Sequence, residues 1–318
     1  MNMDVKEKIE LIKRNAEEVL GEEKLVSLLK SKKQPVVYCG YEPSGEIHIG
    51  HFVTVLKLKD FEDAGFKVKI LLADWHAWLN RKGDWKFIGE QVKKWEKAFK
   101  KMGLKKPEIV VGTSFERKAE YIDDVFQLAA GSTLNRGLRS MQGVARDLEN
   151  AKVTQIIYPF MQVVDMKHLG VDAVVGGMEQ RKIHMIAVES LKDIGYDVPV
   201  FVHTSLIPSL KGENEGKMSS SDKDSLISVS DSSEDIMKKV SKAFCPEGQK
   251  NPVLDIARLL IFPVFDEIEV KRPEKFGGNV VYGSYSDLER DFLAKKLHPM
   301  DLKKVIGDKL AEMFEKVR

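Results

Sequence analysis

Two histidines set three apart, His48 and His51, follow a stretch of small residues that includes Gly40, Pro43-Ser44-Gly45 and, between the histidines, Gly50. Small residues let the backbone approach a ligand. Two imidazoles at the start of a helix can both donate hydrogen bonds to phosphate oxygens, where the free N–H groups already favour an anion. Either histidine alone is equally a helix cap or a satisfied, half-buried residue. The pattern is neither a GxGxxG fingerprint nor a Walker loop. A second segment, Lys217-Met218-Ser219-Ser220-Ser221, lies beyond Gly212 and Gly216. One lysine and three hydroxyls on a mobile loop suit a lid over a polyphosphate, although serine-lysine loops are commonly just loops. The third segment is Tyr158-Pro159-Phe160-Met161-Gln162-Val163-Val164-Asp165. Proline suits a first helical turn, which predicts a helix opening near Tyr158 with Gln162 and Asp165 on one face. The rise from Tyr158 to Asp165 is about 10 Å, the length of an aromatic amino acid. An aspartate among apolar neighbours needs a partner, from a cap, a salt bridge or a ligand.

The elements around these residues follow from hydrophobic periodicity. Short apolar runs at 36–39, 67–73, 108–111, 171–175 and 198–202 read as strands, and 49–64, 84–102 and 179–194 as helices. Such alternation predicts right-handed crossovers and an open α/β domain with a parallel sheet, which binds ligands at the carboxyl ends of its strands. Residues 4–20 read as one amphipathic helix and 211–224 as a polar loop. From Ser232 the pattern turns helical: Ser232 or Ser233 caps a helix through Phe244, and Cys245-Pro246 ends it. This predicts a first domain over 1–228 and a second, mainly helical one over 229–318.

Composition narrows the class. The chain of 318 residues carries 51 Lys+Arg against 49 Asp+Glu, with 43% hydrophobic residues, as an ordinary globular protein does. No apolar run approaches the roughly 18 residues that span a bilayer, and residues 1–20 lack a signal-peptide core. Cys39 and Cys245 are the two cysteines, with no metal-ligand or redox spacing, so a reducing cytoplasm is expected. The tail is charge-balanced, whereas Lys93, Lys94, Lys97, Lys100 and Lys101 line one helix. That stripe is either a solvated face or attractive to phosphate.

Taken together, the motifs resemble the class I aminoacyl-tRNA synthetases. Residues 48–51 spell HIGH and 217–221 spell KMSSS. The finer pattern is similar to the archaeal/eukaryotic-type tyrosyl-tRNA synthetases: residues 38–45 ahead of HIGH, Leu71-Leu72-Ala73-Asp74, Tyr158-Pro159 with Gln162 and Asp165, and residues 176–184 (GGMEQRKIH). The resemblance implies a Rossmann-like catalytic domain with a connective insertion at about 110–150 and a C-terminal anticodon-binding domain. It implies activation of L-tyrosine with ATP and Mg2+, then transfer to tRNA(Tyr), without a covalent enzyme intermediate. Gly40, His48, Gly50, His51 and Lys217, Met218, Ser219, Ser220, Ser221 would contact ATP, with His48, His51, Lys217 and Ser220 stabilising its charge. Tyr38 and Asp165 would hold the phenol hydroxyl. Tyr158, Gln162 and Gln180 would surround the substrate's ammonium and carboxylate.

For tRNA, the resemblance assigns Arg139 and Arg181 to the acceptor stem, and Phe276 with His298-Pro299-Met300-Asp301 to the first anticodon base. Without it, Phe276 beside two glycines is equally a turn-packing residue, and His298-Pro299 a helix break. A homodimer joined through 110–150, a cytoplasmic location and no protein-bound metal or membrane are further expectations. Val164, Cys39 and Glu116 depart from the family pattern near the pocket, as does the arginine-poor 136–139 stretch. Tryptophanyl-tRNA synthetase and a non-catalytic tRNA-binding paralogue are the alternatives.

Overall fold

The computed structural model describes residues 3–142, 144, 150, 152–212 and 226–317. The chain opens with α1 (Val5–Lys13), β1 (Ala16–Leu20) and α2 (Glu22–Ser31), then alternates β2 (Val36–Tyr41), α3 (Ile49–Asp63), β3 (Lys67–Leu72), α4 (Asp74–Leu79), α5 (Trp85–Phe99) and β4 (Glu108–Val111). After it come α6 (Ala119–Ala130), α7 (Leu134–Ser140), α8 (Val153–His168), β5 (Ala173–Gly177), α9 (Arg181–Ser190) and β6 (Val200–Thr204). The six strands form one sheet ordered β1-β6-β5-β2-β3-β4. All pairs are parallel except β1 with β6. The predicted α/β sheet is therefore present, in the Rossmann-like arrangement of central strands.

Residues 4–20 do not form one helix. Asp4 and Glu7 make a capping box at the start of α1. The helix ends by Arg14, because Asn15 takes a left-handed conformation at φ 55°, which asparagine tolerates better than most residues. The chain then runs back as an edge strand, with Glu18 opposite His203. Helical spacing over 4–20 thus hid a helix and a strand of similar apolar content.

By compactness the chain divides into two units, Met1–Ser44 with Lys57–Ser205, and Gly45–Leu56 with Leu206–Arg318. The core of the first gathers Tyr38, Tyr121, Tyr158, Phe160, Val163, Val164 and Phe201 around the sheet. The second holds α10 (Ser233–Lys242), α11 (Pro252–Ile256), a hairpin of β7 (Ile268–Val270) and β8 (Val280–Tyr282), α12 (Tyr285–Leu293) and α13 (Pro299–Glu315). Ser232 caps α10 as the sequence predicts. α13 packs closely on α10 because residue 307 is glycine: a Cβ there would lie 2.6 Å from Met237 Sδ.

Candidate active site

The carboxyl ends of β2, β3, β4 and β5 deliver the pocket residues of the first unit. Tyr38 lies on β2 and is 1% exposed. Beyond β3, Asp74 opens α4 and clamps the loop after β4: its carboxylate accepts from Thr113 N (2.8 Å) and Thr113 Oγ1 (2.6 Å). This clamp brings His76 and Glu116 together, though they are 40 positions apart in the chain.

On α8 the structure corrects one expectation. Pro159 sits inside the helix, which begins six residues earlier at Val153. The early start is pinned by Thr154 Oγ1 donating to the Leu79 carbonyl (3.0 Å) and Gln155 Nε2 to Asn80 Oδ1 (3.1 Å). These tertiary bonds outweigh proline's preference for a first turn. Tyr158 is consequently buried, its ring edge-on to His76 at 4.8 Å. Burial first, and the Glu42 charge second, push its phenol well above the usual range. Glu42 accepts from Asn80 Nδ2 at 2.9 Å.

Asp165 is 1% exposed. Its Oδ1 accepts from Tyr121 OH at 2.8 Å, while Oδ2 has no hydrogen-bond partner and lies 3.5 Å from His76 Nε2. His76 Nδ1 lies 3.2 Å from Glu116 Oε1. Burial works against a charged His76, but Asp165 and Glu116 on either side overcome it and raise its pKa to about 9. Burial is likewise the largest influence on Asp165 and raises its pKa, against the pull of the His76 charge. The Tyr38 phenol rises too, through burial and then the Asp165 charge. Tyr38 and Asp165 therefore belong to one dry polar cluster. One nitrogen and two carboxylate oxygens of His76, Glu116 and Asp165 lie within 4.8 Å of one another. The two nitrogens of His76 face different carboxylates, which suits an imidazolium between two anions, since one metal ion takes only one imidazole nitrogen.

Gln162 and Gln180 also meet, Gln162 Nε2 donating to Gln180 Oε1 at 3.1 Å. Gln180 Nε2 in turn donates to Glu179 Oε1 at 3.3 Å, and Glu179 Oε2 has no hydrogen-bond partner. His76, Tyr121, Glu42, Asn80 and Glu179 were not singled out from the sequence. The buried-polar signal of Asp165 points to partners in general but does not identify them.

In the second unit, the HIGH segment starts α3. Ile49 N donates to Ile227 O (3.0 Å) and Val229 N to Ile47 O (2.9 Å), stitching it to the chain at 227–229. Gly50 N donates to His48 Nδ1 and His48 N to His51 Nδ1, each at 3.1 Å. Backbone donors at both Nδ1 atoms place each neutral ring's proton on Nε2. Burial lowers the pKa of His48 to about 4 and that of His51 well below the usual value, so both rings are neutral. A Cβ at Gly50 would meet His48 Cε1 at 2.9 Å, so glycine is what lets the first ring fold back over the helix start. Gly40, in the first unit, would meet only ordinary contacts at 3.7–3.8 Å, so its missing side chain leaves room beside Tyr38. Lys217, Met218, Ser219, Ser220 and Ser221 lie outside the described residues.

The residues assigned to tRNA occupy surfaces. Arg139 is exposed on α7, and Arg181 is held by Glu18 through two contacts of 2.8 and 2.9 Å. Phe276 is 62% exposed, with Lys275 Nζ over its ring at 5.0 Å. His298 caps α13, its Nδ1 accepting from Met300 N at 3.2 Å, with Pro299 next, Met300 exposed and Asp301 in the first turn. Arg272 ties the two segments, donating to Gly278 O (2.8 Å) and Lys296 O (2.9 Å). His298 thus caps a helix and is exposed at once. Among the described residues, no helix is long and apolar enough to cross a membrane.

Known proteins match this architecture along its length. The family described as tRNA synthetases class I (W and Y) matches residues 30–315. A tyrosine–tRNA ligase of Methanopyrus kandleri is 47% identical over 320 residues, covering 99% of this chain and 98% of its own. The crystal structure of the Archaeoglobus fulgidus tyrosyl-tRNA synthetase complexed with L-tyrosine superposes with a TM-score of 0.95 at 47% identity, covering 99% of both chains. That from Pyrococcus horikoshii, also with L-tyrosine, gives 0.90 at 36% identity, covering 99% of this chain and 96% of its own. With this sheet, these motifs and that coverage, the chain belongs to the class I tRNA synthetases of the tyrosine and tryptophan family.

Proposed function

We propose that the protein is an ATP-dependent tyrosine–tRNA ligase. A carboxylate oxygen of L-tyrosine attacks the α-phosphorus of ATP, the bond to the bridging oxygen breaks and pyrophosphate leaves. A ribose hydroxyl of the terminal adenosine of tRNA(Tyr) then attacks the tyrosyl carbonyl, losing its proton, and AMP leaves. Neither step needs a covalent enzyme intermediate, so catalysis is positioning and charge stabilisation. Mg2+ enters with the phosphates as part of the nucleotide substrate.

The observation that carries the reading is Asp165 itself. A buried carboxylate oxygen with no hydrogen-bond donor, beside the Tyr38 phenol, is a socket for one more O–H. Tyrosine supplies that donor and phenylalanine leaves the oxygen unpaired. Strong rejection of phenylalanine without editing is the established behaviour of tyrosyl-tRNA synthetases as a class, and Asp165 with Tyr38 would account for it in this chain. Tyr158, Gln162 and Gln180 surround the ammonium and carboxylate of the substrate. His48 and His51, neutral and protonated at Nε2, donate to ATP phosphates without adding charge that would hold pyrophosphate back. Gly40 and Gly50 admit the nucleotide, and Lys217 to Ser221 cover its triphosphate, with Lys217 and Ser220 following the developing charge.

Arg139 and Arg181 approach the first acceptor base pair, and Phe276, His298, Pro299, Met300 and Asp301 take the first anticodon base by stacking and by accepting from guanine N–H groups. In this reading the catalytic domain is 1–228 and the anticodon-binding domain 229–318, and the enzyme acts in the cytoplasm as a homodimer joined through 110–150. Exchange of pyrophosphate into ATP, run with each of the twenty amino acids, tests the reading. Tyrosine should drive exchange. Exchange with tryptophan alone would make the chain a tryptophan enzyme, and tRNA binding with no exchange would make it a non-catalytic paralogue.

A further inference from the structure

β1, the strand that helical spacing over 4–20 concealed, carries a carboxylate to the start of α9. Its pairing register with β6 shifts between Ala16 and Glu18, and Glu18 then stands opposite His203. A bulge of this kind re-aims a side chain. Glu18 Oε2 accepts from Arg181 Nε at 2.8 Å and Oε1 from Arg181 Nη2 at 2.9 Å. Such a two-point pair fixes the plane of the guanidinium as well as its place. On the other side, Glu18 Oε2 lies 2.9 Å from His203 Nδ1, and His203 Nε2 lies 2.9 Å from His184 Nδ1. A carboxylate of this kind only accepts, so His203 carries a proton on Nδ1. Burial lowers the pKa of both imidazoles, which leaves His203 Nε2 bare to accept from His184. His184 is itself fixed in place, stacked on Phe201 at 4.8 Å and against Gly176, where a Cβ would lie 3.0 Å from its Cε1. Glu18, His203 and His184 thus back one guanidinium. Its Nη1 takes no part in the clamp, and the side chain stays 40% exposed.

We infer that Glu18 is a positioning residue for tRNA discrimination, holding Arg181 by its Nε and Nη2 edge so that Nη1 is presented to the first acceptor base pair. The inference rests on the proposed place of Arg181 at the acceptor stem. An unheld arginine at a helix start samples many rotamers and attracts any phosphate. Held by Glu18, it has lost that freedom before the nucleic acid arrives. The carboxylate also offsets its charge, so what Arg181 contributes is the reading of base edges rather than general attraction to the backbone.

Aminoacylation is measured with a tRNA(Tyr) transcript and with the same transcript whose first acceptor-stem bases are exchanged. The proteins are the native enzyme, Glu18→Ala, Glu18→Gln, Arg181→Ala and the Glu18→Ala/Arg181→Ala double variant. The quantity read is the ratio of kcat/KM for the two transcripts within each protein, which does not depend on the folded fraction. Glu18→Ala should lower the ratio about tenfold, the share of one base-reading arginine, and Glu18→Gln should lower it less. The double variant should match Arg181→Ala, because both substitutions remove the same interaction. Tyrosine-driven pyrophosphate exchange, which needs no tRNA, should persist in Glu18→Ala. A native ratio that survives in Glu18→Ala, or effects of the two substitutions that multiply, overturns the inference. Loss of exchange in step with aminoacylation would make Glu18 a part of the fold and overturn it as well. Failure of the Arg181 assignment would show separately, as a native ratio in Arg181→Ala.

Discussion

Asp165 is 1% exposed and Phe276 62%, and around each the chain follows the rule that its exposure demands. The pocket of the first unit buries His76, Glu116, Asp165, Tyr38 and Tyr121 together, so each charge is felt at short range and each missing partner is costly. The surface of the second unit leaves an aromatic ring, a capping imidazole and Met300 exposed, with Arg272 donating to the Gly278 and Lys296 carbonyls beside them. A small amino acid must be told from its near-isosteres by one hydroxyl, which takes desolvated acceptors. A nucleic-acid base offers a broad π-face, which an exposed ring can stack.

The sharpest way to break this contrast is Asp165→Ala. Tyrosine kcat/KM in pyrophosphate exchange should fall about a hundredfold or more, and the gap between tyrosine and phenylalanine should narrow. Unchanged discrimination would remove Asp165 from the reading of the phenol. His51→Ala should reduce adenylate formation by about a hundredfold with little change in the KM for tyrosine. A rise in that KM alone would move His51 to the amino-acid side. At the exposed surface, Phe276→Ala, His298→Ala and Asp301→Ala should each raise the KM for tRNA by about tenfold, one stacked base or hydrogen bond, while sparing adenylate formation. Equal damage to both steps would mean a folding defect and erase the contrast.

The smallest effects are in pH dependence, and the two sites carry opposite signs. His48 titrates near 4 in the folded protein and near 6.5 unfolded. The unfolded chain therefore binds the extra proton, and stability falls as pH drops from about 6.5 to 4, by at most about 1.4 kcal/mol per pH unit. His76, raised to about 9, contributes stability that is full below about 6.5 and is lost as pH rises through 9. Chemical denaturation between pH 4 and 10 should show the acid limb reduced by His48→Gln and the alkaline limb reduced by His76→Gln. Identical profiles for the native protein and both variants would contradict the two environments.

Much of the scaffold was legible. β4 occupies 108–111 as expected, β3 differs by one residue at its end, and Ser232 caps α10, because apolar parallel strands and capped amphipathic helices write strong local patterns. The misreadings came where a local turn or a tertiary contact overrode the apolar spacing. Asn15 turns an apparent helix into helix and strand, and the bonds from Thr154 and Gln155 start α8 six residues before its proline. The site was legible in part. Tyr38, Gln162, Asp165 and Gln180 could be singled out through motifs, and Arg272 could not, since a surface arginine carries no signal until its two carbonyl partners are known.

By itself the amino-acid order determined the alternation of strands and helices, the place of the histidine pair at a helix start, and an aspartate stranded among apolar residues, all properties of neighbours along the chain. The tertiary structure alone decided that His76 would stand between Glu116 and Asp165, and that Tyr121 would take one of the two oxygens. Asp74 reaches across from one strand end to the next loop to make that meeting. Burial and charge act through space, so the same side chains apart in solution would keep ordinary pKa values and full hydration.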